Sequence, residues 1–253
     1  TAPDIIHCNT YFPVYAGKVA AKLHNVPLVA TFHDIYSLNN WVESQGSPFW
    51  GFLGHVTTIV AAKMPYHKII VPTPQCRQKL IALGIDSKKL AIIPNGIDLP
   101  LFDSTRVEKE NFQVLFVGRL THLKRVDRLI HAFTSVLKQK PEAKLKIVGY
   151  GPEDGNLRRL VGKLRLQASV TFTGVTPTYD KVARYFKESA IFVLPSDAEG
   201  ESIAVKEAMA SNLPVIAMRI KGSGVLSLVE DGENGFLVEP SRIDILAERI
   251  IEL

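Results

Sequence analysis

Two carboxylates separated by seven residues, Glu199 and Glu207, stand in the stretch Pro195-Ser-Asp-Ala-Glu-Gly-Glu-Ser-Ile-Ala-Val-Lys-Glu-Ala-Met-Ala-Ser-Asn-Leu-Pro-Val-Ile-Ala217. The residues before it, Ile191 to Leu194, are a short apolar run of the kind that forms a buried parallel strand. Pro195 ends that run and Gly200 permits a close turn. Ser202 to Ser211 then reads as a helix with Ile203, Val205, Ala208 and Met209 on an inner face. Asn212 and Pro214 stop it. One carboxylate therefore sits on the loop before a helix and the other inside it. A helix N-terminus presents N–H groups and partial positive charge, which attract phosphate. Carboxylates beside it accept hydrogen bonds from hydroxyl groups. Phosphate donors and hydroxyl acceptors together suit a sugar nucleotide. The plainer alternative for the same residues is a solvated acidic loop.

A basic cluster follows the strand Phe112 to Val117. Gly118 allows close backbone approach, Arg119 can hold a phosphate through two parallel N–H bonds, and Lys124 adds a point charge. The structural alternative makes Lys124, Arg125 and Arg128 a solvated helix start. Basic residues there oppose the helix dipole, which argues for a ligand. His33 lies at a strand's carboxyl end in Thr31-Phe-His-Asp34, where a lone histidine is more often structural than catalytic. His7 lies inside the first strand and is expected to pack in its wall. Asn9, just beyond, is a candidate acceptor contact.

The elements that must carry these residues alternate strand and helix, which calls for parallel sheets with right-handed crossovers. In the first half, strands are expected over Asp4–Cys8, Pro27–Phe32, Lys68–Val71 and Leu90–Ile93, with helices over Tyr15–His24, Gly54–Met64 and Gln75–Leu83. The segment Ile35–Leu53, carrying Trp41, Phe49, Trp50 and Phe52, reads as irregular. It is expected to be a buried helix wall, with an acceptor pocket or a lipid surface as the alternatives. From Pro94 to Glu110 the pattern is lost, and a boundary there gives domains 1–105 and 106–253. In the second half, strands are expected at Phe112–Val117, Lys144–Val148, Val170–Thr173, Ile191–Leu194 and Val215–Met218. Gly235–Val238 reads as extended and Val225–Val229 as helical. Two such domains in tandem put ligands at the carboxyl ends of the strands.

Glu199, seven residues, Glu207, then Ala-Met-Ala and Leu-Pro-Val-Ile-Ala resemble the signature of retaining glycosyltransferases of family 4. The resemblance extends to Pro3-Asp-Ile-Ile-His-Cys-Asn9, Val29-Ala-Thr-Phe-His-Asp34, Ile93-Pro-Asn-Gly-Ile-Asp98, Phe116-Val-Gly-Arg-Leu120 with Lys124, and Val229-Glu-Asp-Gly-Glu-Asn-Gly-Phe-Leu-Val238, which looks like a late hairpin. It implies the GT-B fold, an α/β architecture of two Rossmann-like doubly wound domains facing across a cleft. The first would be the acceptor side and the second the nucleotide-sugar donor side. It implies that Glu207 accepts both ribose hydroxyls and that Glu199 faces the transferred sugar. Gly200 and the backbone N–H groups of Glu201, Ser202 and Ile203 would lie nearby. Gly118, Arg119 and Lys124 would hold the diphosphate, and His33 would lie near the reacting sugar. Where the family has Phe then Gly after Glu-Gly, this chain has Glu201 and Ser202. An added carboxylate there changes the expected recognition of sugar hydroxyls.

No Asp-x-Asp pair follows an apolar strand, Asp197-Ala-Glu199 being the nearest imitation, so no metal ligand and no cofactor is expected. Arg119, Lys124 and the helix start must then stabilise the leaving diphosphate. The donor is expected to be a nucleotide diphosphate sugar and the acceptor a hydroxyl of a glycan or lipid-linked sugar. Rival readings are a non-catalytic nucleotide-sugar binder, an epimerase of the same fold, and a dinucleotide oxidoreductase suggested by Gly149-Tyr-Gly151, whose Gly155 falls one position late for the fingerprint.

The 253 residues carry 46% hydrophobic and 22% charged side chains and a formal charge of +5. That is a globular composition, mildly basic, with no nucleic-acid signature. Cys8 and Cys76 form no metal motif, and a reducing cytoplasm is expected, with contact at the inner membrane surface left open to the aromatic segment. The sequence shows no signal peptide. A first residue that is not Met and a last helix pattern reaching Leu253 give the expectation of a fragment, truncated at both ends.

Overall fold

The computed structural model describes residues 2–176 and 178–253. The chain divides into two compact units. One holds Thr1–Asn95 with Glu199–Glu201 and Gly222–Ser227, and the other holds the remainder.

The first unit is built on four parallel strands in sequence order: β1 (Ile6–Asn9), β2 (Leu28–Thr31), β3 (Lys68–Val71) and β4 (Leu90–Ile92). Between them run α1 (Pro13–His24), α2 (Leu38–Gln45), α3 (Pro48–Ala62) and α4 (Pro74–Ala82). Prolines in the first turns of α1, α3 and α4 set φ where no amide partner is lost. Thr73 caps α4 by accepting from the amide of Cys76. Val14, Ala30, Phe32, Val71 and Leu80 are fully buried and close the core. Within the segment 35–53, expected to be irregular, residues 38–45 and 48–53 are helical. Ser37 caps α2, Gly46 ends it in the left-handed region at φ 63°, and Ser47 with Pro48 starts α3 at once. Nor is the segment's aromatic stretch a buried wall, because Phe49, Trp50 and Phe52 are exposed. His7 is also exposed, its Nε2 2.8 Å from the Thr31 hydroxyl, rather than packed.

The second unit has six parallel strands: β5 (Gln113–Val117), β6 (Lys144–Val148), β7 (Val170–Gly174), β8 (Ile191–Leu194), β9 (Val215–Met218) and β10 (Gly235–Val238). Their order in the sheet is β10-β9-β8-β5-β6-β7. The helices are α5 (Leu99–Ser104), α6 (Val126–Gln139), α7 (Asp154–Lys163), α8 (Tyr179–Glu188), α9 (Ile203–Ala210) and α10 (Ile243–Glu252). The residues of β8 and β9 are all buried, as expected for apolar runs covered on both faces.

Three local expectations change. Residues 229–238 form no hairpin, because β10 joins β9 in parallel. The Val225–Val229 helix is a 3-10 turn over Gly224–Ser227. The inner face of α9 is Val205, Glu207 and Ala208, while Ile203 is 44% exposed. The division between the units falls at Asn95–Gly96, before α5 and inside the stretch 94–110. Phe102 of α5 is fully buried and packs edge-on against Tyr179 and Phe186 of α8, which ties this helix to the second unit.

Candidate functional site

The strand order of the second unit reverses beside β5. The chain runs outward through β5, β6 and β7, then returns and runs the other way through β8, β9 and β10. In such sheets the crevice outside the carboxyl ends of the two strands at the reversal is where ligands bind. Here those strands are β5 and β8. Gly118 and Arg119 directly follow β5, and the acidic loop directly follows β8.

The loops at this crevice are held by identifiable bonds. The amide of Asp197 donates to the carbonyl of Leu123 at 2.8 Å. Its carboxylate accepts from Nη1 of Arg125 at 3.1 Å and from Arg128. Arg125 takes a left-handed conformation at φ 47°, and its guanidinium also pairs with Asp127 at 3.0 Å. Arg125 and Arg128 are thus pinned beneath the β8 loop and are not a solvated helix start. Arg119 is exposed and Lys124 half-buried on the same β5 loop.

The next loop supports this one. The amide of Leu120 donates to Tyr150 at 3.1 Å, and that of Glu153 to Leu120 at 2.9 Å. A Cβ on Gly149 would stand 1.9 Å from the carbonyl oxygen of Gly118, and one on Gly151 would stand 2.2 Å from that of Leu120. These glycines serve the close packing of two loops. They therefore lend no support to a dinucleotide fingerprint.

Glu207 is only 5% exposed on α9. The Tyr179 hydroxyl donates to its Oε1 at 2.5 Å. Burial pushes the carboxyl up from its ordinary 4.5, and the hydrogen bond from Tyr179 pulls it part of the way back. Ser202 is buried, and its hydroxyl accepts from the amide of Val205 at 3.4 Å, so that side chain is engaged in starting α9.

In the first unit the register places Asn9 beside Thr31, and His33 follows two residues on. His33 Nε2 lies 2.7 Å from Asn9 Oδ1, so the two candidates meet. With Asn9 Oδ1 accepting, Nε2 carries the proton and Nδ1 is the ring's acceptor in the neutral form. The neighbouring Asp34 is fixed by Lys79 at 2.6 Å and by the amide of Ile35 at 2.7 Å, and its carbonyl accepts from the Tyr11 hydroxyl. Gly200 is pressed against this turn. A Cβ there would stand 2.0 Å from the His33 carbonyl oxygen, and a Cβ on Gly224 would stand 1.8 Å from the Gly200 carbonyl oxygen. Gly224 donates its amide to Glu199 at 3.0 Å. Glu201 Oε2 accepts from the backbone amide of Asn95 at 2.8 Å and from its side chain at 2.5 Å. That oxygen latches two loops together, a partner the sequence did not suggest. Among the described residues no group of three or more His, Cys, Asp or Glu side chains could hold a metal ion.

The fold is that of the GT-B proteins. HepE of Anabaena, solved in complex with UDP, superposes with a TM-score of 0.77 at 23% identity, covering 98% of this chain and 68% of its own. The family model for glycosyl transferases group 1 matches residues 100–253, and that for Glycosyltransferase Family 4 matches residues 1–100. The chain belongs to the glycosyl transferases group 1 family. It is 28% identical to the D-inositol 3-phosphate glycosyltransferase of Acidothermus cellulolyticus over 93% of this chain and 56% of that protein. It is 41% identical to an uncharacterized glycosyltransferase of Haemophilus influenzae over 53% of this chain and 37% of that protein. The chain spans about half the length of the curated relatives it matches.

Proposed function

We propose that the protein is a retaining, metal-independent glycosyltransferase that moves a sugar from a nucleotide diphosphate sugar to a hydroxyl acceptor. The carrying observation is the crevice at the β5–β8 reversal, where the loop bearing Gly118, Arg119 and Lys124 is tied through Asp197 to the loop after β8. Arg119 and Lys124 would hold the diphosphate, Glu207 the ribose, and Glu199 with the backbone of Gly200, Glu201, Ser202 and Ile203 the transferred sugar. His33 and Asn9 would contact the reacting sugar and its acceptor.

In the reaction, the bond from the anomeric carbon to the diphosphate oxygen breaks and the acceptor oxygen bonds that carbon on the same face. The acceptor's proton leaves on the diphosphate. Charge grows on the leaving group, and preorganised cations aimed at it lower the barrier. Asp197, the first acid of the Asp-x-Glu that directly follows β8, is neutralised by Arg125 and Arg128, which supports a role in structure over one in metal binding. The two free, buried cysteines support a reducing cytoplasm. The exposed Phe49, Trp50 and Phe52 support contact with a membrane surface; no helix among the described residues is long and apolar enough to cross one.

The test is a donor screen by mass spectrometry on the full-length protein, with the anomeric configuration of the product read by NMR. An α-linked donor should give an α-linked product together with free nucleoside diphosphate. An inverted product would refute retention. An altered sugar released without transfer would favour an epimerase, and tight binding without turnover a binding protein.

A further inference from the structure

We infer that Tyr179 is a positioning residue for nucleotide recognition: its hydroxyl holds Glu207 so that one carboxylate oxygen, Oε2, is presented to the ribose hydroxyls. This rests on the donor-site reading above and adds to it a residue that no family motif marked. Glu207 is buried, and a buried carboxylate needs its oxygens satisfied. Oε1 is satisfied by Tyr179 at 2.5 Å. Tyr179 is the first residue of α8, and its ring packs edge-on against Phe102 with centroids 6.0 Å apart and planes at 83°. Phe102 is itself fully buried, so the phenol has a fixed support rather than a mobile one.

A hydrogen bond from a phenol that is 42% exposed and braced on one side by Phe102 sets the rotation of the carboxylate plane and leaves Oε2 to accept from the ligand. The same bond opposes the effect of burial, which favours the protonated acid. An ionised carboxylate only accepts, which matches a ribose offering two O–H donors. Without the phenol, Glu207 can turn Oε1 toward the ligand or take up a proton. Either change blunts the reading of ribose.

The experiment is titration calorimetry on the full-length protein with UDP and GDP, each with its 2′-deoxy analogue, and with inorganic diphosphate. Tyr179→Phe keeps the ring and removes only the hydroxyl. The variant should bind the preferred ribonucleotide about tenfold more weakly, the loss expected for one hydrogen bond to a charged group. Its preference for ribose over 2′-deoxyribose should shrink, while diphosphate affinity stays the same. An undiminished ribose preference overturns the inference. So does tighter ribonucleotide binding, which would make the phenol a competitor for Glu207. Equal loss for all ligands, diphosphate included, with a lowered melting temperature would make the role structural and also overturn it. If the unaltered protein binds neither nucleotide, or shows no ribose preference, the donor-site reading itself has failed.

Discussion

At the scale of residues, the account gives separate work to carboxylate and cations, and each can be tested alone. Glu207→Gln keeps the shape of the side chain and removes its charge. Hydrogen bonds to a charged group contribute about 1.5–3 kcal/mol each, so free nucleotide should bind at least about tenfold more weakly. An unchanged dissociation constant would remove Glu207 from the site. Arg119 and Lys124 face a different test, because they are assigned to the charge that develops as the sugar leaves. Arg119→Ala should lower the turnover number as well as the affinity, by about 10²–10³ for a preorganised donor of this kind. Lys124→Ala should act likewise, and the double variant should fall short of the product because both serve one charge. Arg119→Lys should rescue only partly, since an ammonium cannot make the two-pronged contact. A raised Michaelis constant with unchanged turnover in both alanine variants would make them donor anchors only.

At the scale of elements, the site depends on loops set by packing from below. Phe102 of α5 packs against Tyr179 and Phe186 at 6.0 and 6.1 Å and is fully buried. Phe102→Ala should cost about 3–5 kcal/mol of stability, read by denaturant unfolding; a change below about 1 kcal/mol would show that α5 is not part of this core. α5 was also where the sequence misled. Its six residues follow Asp98 in a polar stretch, too short for a helical period to show. α2 and the start of α3 were hidden differently: Phe49, Trp50 and Phe52 are exposed and no residue of α2 is buried, so the apolar pattern there did not mark an inward stripe. The strands β8 and β9, and β5 over residues 114–117, were legible because a strand covered on both faces must be a short unbroken apolar run. The positions of Gly118, Arg119 and Glu207 relative to those strands were legible for the same reason. The partners of the site residues were not. Tyr179 meets Glu207 across 28 residues, and Arg125 meets Asp197 across 72, and neither pairing leaves a local signal. Glycines were misread in kind. Gly200 looked like a turn residue, and it is needed because the His33 carbonyl leaves no room for a Cβ.

At the scale of the whole molecule, two parallel-sheet units and the family matches over residues 1–100 and 100–253 agree on one architecture. The central claim is chemical: protein cations, in place of a divalent ion, stabilise the leaving diphosphate. A mildly basic chain of formal charge +5 is compatible with that, but the claim belongs to Arg119 and Lys124 in particular. The most direct measurement is the turnover number of the full-length protein, with its donor and acceptor saturating, before and after exhaustive treatment with EDTA. The account predicts the same turnover in both. Loss of activity on chelation, restored by manganese or magnesium, would contradict it.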